Sequence, residues 1–213
     1  MSTLLAYASA REMAAFPDSP LDTLELGVGK VAAAMTLAAT FAQSKPEAVL
    51  LAGIAGAFPQ AHLRAGLREL EVGATVMVGT EVAADEGVLT PTGFVDLATL
   101  GLEVPEPLAA DPELTAKLAE FLDCPVVPGA TVSTGAGIDA LSQAHALRSG
   151  AQVESMEGAA VAAVCRRFGV PFVELRVISN KTGDRDRGAW DLEGSTAALA
   201  KALTEIVLAD LLP

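Results

Sequence analysis

The segment VESMEGAAVAAVCRRFGVPFVELRVISN, residues 153–180, contains the two patterns that decide the fold of this chain. Its first part predicts an alanine-rich helix, which a Gly-Val-Pro turn at 169–171 ends. An apolar run follows and stops at Ser179 and Asn180, as expected for a buried strand whose polar end reaches the edge of a cleft. A helix followed directly by a buried strand is typical of α/β proteins.

Three polar residues of this segment are candidates for chemistry, and each also has an ordinary structural explanation. Glu154 lies near the predicted helix start, where the helix dipole favours an acidic residue. Glu157 lies one turn further in, before small residues that allow close packing, so its carboxylate faces either solvent or a cleft. Asn180 alone is more typical of a turn than of a ligand contact. These residues by themselves do not determine a function.

Strands and helices alternate along the rest of the chain. Strands are predicted at 4–9, 21–28, 48–54 and 124–134 and from residue 74 onward, helices at 29–44, 111–123, 138–150 and 195–212, and a long loop at 89–112. Asp111 is the expected N-cap of the 111–123 helix, with proline at its first position. Interleaved apolar strands and helices indicate an α/β sheet covered on both faces. No linker or repeat interrupts the pattern, which predicts one domain over residues 1–213.

The composition limits the classes of partner. The chain has 213 residues, is 51% hydrophobic and 19% charged, and carries a formal net charge of −13. Such a surface repels phosphate groups, so we expect neither nucleic acid nor an anionic membrane as a partner. Cys124 and Cys165 lie in no metal or disulfide motif, the first residues do not form a signal peptide, and no apolar run is long enough to cross a bilayer. We therefore expect a cytoplasmic protein with reduced thiols.

Other catalytic and metal-binding motifs are missing from the sequence. His62 and His145 have no further ligand at metal-binding spacing, and no Gly-x-Ser-x-Gly elbow occurs. We therefore expect no metal, no cofactor and no serine hydrolase site. Glycine-rich pieces at 27–30, 53–58 and 133–137 instead suggest that the backbone approaches a ligand at the strand ends of the sheet.

The motifs together carry a family resemblance. SMEGAAVAAVCRRFGVPFVELRVISN resembles the signature region of the nucleoside phosphorylase and nucleosidase superfamily, in which Met-Glu lies in an alanine-rich helix and the next strand ends in Ser-Asp or Ser-Asn. GVGKVAAA, VLLAGIAGAF, VGATVMV and TVSTGAGI are similar to earlier segments of that family and occur in the same order. The resemblance covers most of the chain. It implies a three-layer α/β/α sandwich with a central mixed, twisted sheet, and a homodimer.

Within the superfamily the chain is most similar to the futalosine hydrolases, nucleosidases of menaquinone biosynthesis whose substrate carries hypoxanthine. The similarity depends on SMEGAAV, on ISN in place of ISD, on TGDRDRGAWDL at 182–192 and on ADEG at 84–87.

The resemblance also implies roles for single residues. Glu157 matches the glutamate that holds the ribose hydroxyls, Met156 the residue packed against the sugar, and Asn180 the position that meets the purine near N7 and the 6-substituent. Glu12 matches the glutamate that activates water, with Asp18 as the neighbouring alternative. Further substrate contacts are predicted at Ile54, Ala136, Gly137 and Ser179. Related nucleosidases have phenylalanine at the position of Gly137, so the ring that stacks on the base is not identified.

These roles suit the chemistry of glycosidic cleavage, in which positive charge develops on the sugar and the base leaves with negative charge. An anionic Glu157 stabilises such a cation, and a base such as Glu12 deprotonates the attacking water. The amide of Asn180 offers both a donor and an acceptor, so it suits a 6-oxo purine better than a 6-amino purine.

Three alternatives stay open at this point: a methylthioadenosine/adenosylhomocysteine nucleosidase, a phosphate-dependent nucleoside phosphorylase and a nucleoside-binding protein without activity. Ile54 stands in an apolar segment where relatives often have serine, which favours water over phosphate as the nucleophile. Lys30 and Arg11 are candidate anion contacts, either for phosphate or for the carboxylate of the aromatic tail of futalosine. Two well-placed acids, Glu12 and Glu157, argue against an inactive protein.

Overall fold

The computed structural model describes residues 3–102 and 107–213, which contain ten strands and five α-helices. The strands are β1 Leu4–Tyr7, β2 Asp22–Glu25, β3 Val49–Ala57, β4 Thr75–Ala83, β5 Gly87–Thr90, β6 Gly93–Asp96, β7 Leu108–Ala109, β8 Val126–Thr131, β9 Val153–Ser155 and β10 Phe172–Lys181. The helices are α1 Lys30–Phe41, α2 Pro112–Phe121, α3 Asp139–Ser149, α4 Gly158–Phe168 and α5 Leu192–Leu208. No helix within these residues is both long and apolar enough to cross a bilayer.

Eight of the strands form one mixed sheet, as the resemblance implied. Its order is β10-β4-β8-β9-β3-β1-β2, with β7 paired to the outer part of β4. β3 runs parallel to β1 and β10 and antiparallel to β9, and β10 is antiparallel to β4. Because β3 also pairs with β10, five of the strands close into a ring, and β1 and β2 extend from it.

Helices cover both faces of the sheet, which confirms the three-layer prediction. α1 and α4 pack on one face in a core that includes Leu37 and Val161, whereas α2 and α5 pack on the other with Leu118 and Leu203. Successive residues of one strand point to opposite faces, so β3 sends Val49 and Leu51 to the first core and Leu50 to the second. A strand buried on both sides must be apolar at every position, which explains the uninterrupted runs in the sequence.

Helix ends follow the predicted signals. The Asp111 carboxylate accepts a hydrogen bond from the Leu114 amide at 2.9 Å, so Asp111 is the N-cap of α2 as predicted. α3 and α4 both end at glycines in the left-handed conformation, Gly150 and Gly169. The second of these turns the chain directly from α4 into β10.

The predicted long loop at 89–112 is wrong at residues 89–96, and the short strand β7 and the first residue of α2 also fall within it. β5 and β6 form an antiparallel hairpin, and the Thr90 hydroxyl donates to the Gly93 carbonyl across its turn at 2.7 Å. Pro91 and Gly93, which by themselves indicate a loop, belong to this turn. Residues 103–106 of the predicted loop lie outside the described residues.

Candidate active site

A cavity of about 470 Å³ lies at the carboxyl ends of the parallel strands β1, β3 and β10. The topology places the ends of three distant chain segments at one edge of the sheet, as is usual for ligand sites in α/β folds. The cavity is lined by all eight residues for which the resemblance implied a catalytic or substrate-binding role: Glu12, Ile54, Ala136, Gly137, Met156, Glu157, Ser179 and Asn180. Their individual roles stay predictions at this point.

Glu12 lies in the turn after β1 and is fixed by backbone amides. Its Oε2 accepts hydrogen bonds from the amides of Ala8 at 3.1 Å and Ser9 at 3.2 Å, and its Oε1 accepts one from Ile54 at 3.1 Å. Burial raises the pKa of Glu12, and the guanidinium of Arg176 and the Ile54 amide oppose that rise only in part. A carboxylate with a raised pKa and a fixed orientation is well suited to act as a general base.

Glu157 occupies the N-cap position of α4, which corrects the prediction that it lies one turn inside the helix. Its side chain does not cap the helix. Instead, Oε1 accepts a hydrogen bond from the Gly29 amide at 2.9 Å, from the segment before α1. This bond holds the carboxylate at the cavity wall, only 4% of the residue being exposed.

Arg176 links the two acids, and no motif in the sequence indicates this role. This residue is only 1% exposed, and its Nη2 lies 3.9 Å from Oε2 of Glu157. Arg176 and Glu12 also lie together beside Gly53. A Cβ added to that glycine would lie 2.5 Å from Nη1 of Arg176 and 2.6 Å from Oε1 of Glu12. Burial alone would lower the pKa of Arg176, but the surrounding glutamates raise it, so the guanidinium stays charged. One buried cation therefore faces both candidate catalytic acids.

Asn180 is held with a defined amide orientation at the end of β10. Its Oδ1 accepts a hydrogen bond from the Ser179 hydroxyl at 2.9 Å, and its Nδ2 donates to the Lys181 carbonyl at 2.9 Å. The atom facing a carbonyl oxygen must be the NH2 group, which fixes the orientation. One N–H and one lone pair of the side chain then remain for a ligand.

Glu154 lies in β9 and not at a helix start, so the prediction of a simple helix-dipole role is wrong. The side chain is buried, and its Oε1 accepts a hydrogen bond from the Ala136 amide at 2.7 Å. Its Oε2 lies 2.8 Å from Nδ1 of the equally buried His145. Glu154 thus ties α3 and the 133–137 loop to the sheet beside the cavity.

The segment after β10 closes one side of the cavity. The amide of Gly183 donates to Ala136 and that of Arg185 donates to Gly137, which joins this segment to the 133–137 loop. Trp190 lines the cavity, and the Arg185 guanidinium lies 4.8 Å from the centroid of its ring. Trp190 therefore brings an aromatic side chain to the cavity from a segment other than that of Gly137.

The two candidate anion contacts differ in the structure. Lys30 lies 2.6 Å from Oδ1 of Asp85 and 3.3 Å from Oε1 of Glu86, so its charge is already balanced. Arg11 lines the cavity, is exposed, and forms no ion pair with any residue in the described parts of the chain. Arg185 also lines the cavity, is exposed, and forms no ion pair with the described residues. The open cationic positions at this site are therefore arginines.

Comparison with known proteins shows the family to which the chain belongs. The family model described as phosphorylase superfamily matches residues 23–212. The chain is 39% identical over 187 residues to a futalosine hydrolase of Thermus thermophilus, covering 86% of this chain and 80% of that one. It is 33% identical over 191 residues to a 5′-methylthioadenosine/S-adenosylhomocysteine nucleosidase of Actinobacillus succinogenes, covering 87% and 77%.

Solved structures share the fold. The structure of a futalosine hydrolase mutant of Helicobacter pylori superposes with a TM-score of 0.79 at 21% identity, covering 98% of this chain and all of that one. The chain therefore belongs to the phosphorylase superfamily and is a nucleosidase within it.

Proposed function

We propose that this protein is a futalosine hydrolase. It would cleave the N-glycosidic bond of futalosine with water and release hypoxanthine and dehypoxanthine futalosine, a step of menaquinone biosynthesis. The observation that carries the proposal is Asn180, whose amide leaves one donor and one acceptor free at the cavity. The higher identity to the futalosine hydrolase than to the methylthioadenosine/adenosylhomocysteine nucleosidase supports the same choice.

In this proposal Asn180 recognises the purine. The free N–H donates to O6 of hypoxanthine, and the free lone pair of Oδ1 accepts from N7 when that atom becomes protonated as the base leaves. A 6-amino purine would instead present a donor to the amide N–H. The Ser179 and Lys181 contacts prevent the amide from turning over to accommodate it.

The two acids divide the remaining chemistry. Glu157 accepts hydrogen bonds from the ribose hydroxyls, and its negative charge stabilises the sugar cation of the transition state. Glu12 takes a proton from the water that attacks C1′. Three backbone amides donate hydrogen bonds to Glu12 and one donates to Glu157. Because these bonds already hold both carboxylates in place, neither side chain needs to change its orientation during the reaction.

Arg11 and Arg185 support a substrate with an anionic tail. Both line the cavity without an ion-pair partner among the described residues, in a chain whose net charge is −13. The aromatic carboxylate of futalosine would place its ring near Trp190 and its charge near these guanidinium groups. Methylthioadenosine has no charge at that end and would leave both arginines unused.

The decisive experiment is a substrate panel. Purified protein is incubated with futalosine, inosine and methylthioadenosine, each with and without phosphate, and the free base and the sugar product are identified. We expect hypoxanthine from futalosine at a rate independent of phosphate, because the wall around Ile54 is apolar. Faster release of adenine from methylthioadenosine would overturn the choice of substrate, and a sugar 1-phosphate would show a phosphorylase.

A homodimer stays part of the proposal. Val28, Val31 and Met35 form an exposed apolar face at the start of α1, with 61%, 74% and 68% of their surface accessible. Apolar patches of this kind commonly mark protein interfaces, and Val28 also lines the cavity. Light scattering on the purified protein gives the mass directly, and a monomer at micromolar concentration would exclude this arrangement.

A further inference from the structure

Two buried carboxyl groups lie behind the cavity without enough hydrogen-bond donors. Oε2 of Glu81, on β4, accepts a hydrogen bond from the Thr131 hydroxyl at 2.7 Å, and Oε1 of Glu174, on β10, accepts one from Nε of Arg176 at 2.7 Å. The other oxygens, Oε1 of Glu81 and Oε2 of Glu174, have no donor among the residues that the structure describes. A buried oxygen without a donor is costly, so this pair requires an explanation.

The two unpartnered oxygens converge on one point. A Cβ added to Gly158 would lie 2.5 Å from Oε1 of Glu81 and 2.8 Å from Oε2 of Glu174. Glycine at this position leaves the space that both carboxyl groups occupy. Two ionised carboxylates in this arrangement would repel each other, whereas one proton between them would form a hydrogen bond and satisfy both oxygens.

We propose that Glu81 and Glu174 share one proton between these two oxygens, and that the pair is a positioning unit that holds Arg176 beside Glu12 and Glu157. The directions of the pKa shifts of Glu81 and Glu174 agree with a shared proton. Burial raises the pKa of both carboxyl groups, and repulsion from Glu174 raises the pKa of Glu81 further. At Glu174 the neighbouring Arg176 and a hydrogen bond with Glu81 oppose the rise in part. The shared proton leaves one negative charge on the pair.

That single charge matters because Arg176 faces four acids from four parts of the fold. Glu174 lies on its own strand, Glu81 on β4, Glu157 at the start of α4 and Glu12 after β1. With one shared proton the five groups carry a net charge of −2, and without it −3. The additional charge would make protonation of Glu12 easier and so remove the base that the proposed reaction needs.

The pair also determines where the guanidinium points. The bond from Nε to Glu174 leaves Nη1 to donate to the Ile54 carbonyl at 3.3 Å and directs Nη2 toward Glu157. Glu174 therefore acts on the reaction only through Arg176. Glu81 acts one step further away, because it holds the proton that keeps Glu174 in place.

Glu81→Gln tests the shared proton. The amide supplies the bridging hydrogen covalently, and its oxygen can still accept from Thr131. In the wild type the native pair holds a proton that the unfolded chain releases near pH 4.5, so stability falls as pH rises from there through the raised pKa of the pair. The variant lacks this dependence. The Tm of Glu81→Gln minus that of the wild type should therefore increase with pH, while the acid limb of kcat/KM stays in place.

The opposite result is equally specific. If both carboxylates were ionised in the native protein, the Tm difference would be constant above about pH 5, and the acid limb would move to lower pH because a charge near Glu12 had been removed. Glu81→Met, which is similar in length and brings no hydrogen, is the matched control and should lower Tm at every pH.

Glu174→Gln separates the two parts of the proposal. It also supplies the bridging hydrogen, so its Tm should show the same flattened pH dependence. It also removes the charge that orients Arg176, so kcat should fall about tenfold or more with little change in KM, as for loss of a charged hydrogen bond. An unchanged kcat would overturn the positioning role. That role rests on the proposed function, but the Tm profiles do not require turnover, so the two can fail separately.

Discussion

Asn180→Asp tests whether the amide at the end of β10 reads the 6-position of the purine. In the native protein Ser179 donates to Oδ1 and Nδ2 donates to the Lys181 carbonyl, both at 2.9 Å. The substitution replaces the NH2 group with an oxygen. An ionised aspartate would then present an acceptor to two other acceptors, the Lys181 carbonyl and O6 of hypoxanthine.

The expected loss has two parts. Leaving a buried polar group unpaired costs about 1–3 kcal/mol, and here one such cost arises at Lys181 and one at O6. The first is the same for every substrate, because Lys181 belongs to the protein. The second applies only to a 6-oxo purine and corresponds to a loss on the order of tenfold to a hundredfold in kcat/KM. A 6-amino purine escapes it, since its amine donates to the new oxygen.

The measured quantity is therefore a ratio. Base release by the wild type and by Asn180→Asp is followed with futalosine and with the analogue that has a 6-amino group on the same sugar and tail. For each protein, kcat/KM for futalosine is divided by kcat/KM for the 6-amino analogue. The cost at Lys181 cancels in this ratio, because it is the same for both substrates. Asn180→Ala is the control, because it removes donor and acceptor together and should abolish the preference without reversing it.

One result would refute the reasoning. If Asn180→Asp lowered kcat/KM for both nucleosides by the same factor, the side chain would not read the 6-position. The choice of a hypoxanthine nucleoside would then depend on similarity to the relatives alone.

Other substitutions test the remaining parts of the site. Glu12→Gln and Glu157→Gln should each lower kcat by about 10² to 10⁴ with Tm retained; near-native turnover in either variant would remove that residue from the mechanism. Because burial raises the pKa of Glu12, kcat/KM should fall with acidification at a pH above 4.5, and a profile flat down to that pH would contradict its role as base. Arg185→Gln should raise KM for futalosine about two- to fivefold, the range for an exposed ion pair, and leave KM for inosine unchanged; equal changes would indicate a general structural effect. Gly53→Ala should lower both Tm and kcat, because the new Cβ would lie within 2.6 Å of the Glu12 carboxylate and of the Arg176 guanidinium. Gly137→Ala is the control for Tm, because the space around its new methyl group is open. Equal Tm values for the two variants would show that the site can adjust to the methyl group at residue 53.

Local patterns in the sequence were sufficient for most of the secondary structure. The run that became β10 is apolar because both faces of the strand are covered, and the Gly-Val-Pro turn before it stops α4 by backbone geometry alone. The hairpin at β5 and β6 was missed for the opposite reason. Short exposed strands carry no strong apolar pattern, and their turn residues are the same as those of a loop.

The motifs at Met156-Glu157 and Ser179-Asn180 can be read along the chain, so the sequence alone predicted these four residues for the site, and all four line the cavity. The sequence could not determine the contacts of Glu154 or the role of Arg176. Glu154 has the same neighbours in sequence whether it starts a helix or lies in β9, and only the packing of α3 brings His145 to it. Arg176 interrupts an apolar run, and a charge at that point is stabilised only by acids from other segments.

What the sequence by itself determined is therefore the order of strands and helices and the residues that the family motifs mark. What only the tertiary structure decided is the electrostatic state of the site. Glu12, Glu81, Glu157 and Glu174 come from separate segments, and closure of the sheet through β3 and β10 gathers them around one guanidinium. Charge interactions depend on distance and burial in three dimensions, and neither quantity can be read from positions along the chain.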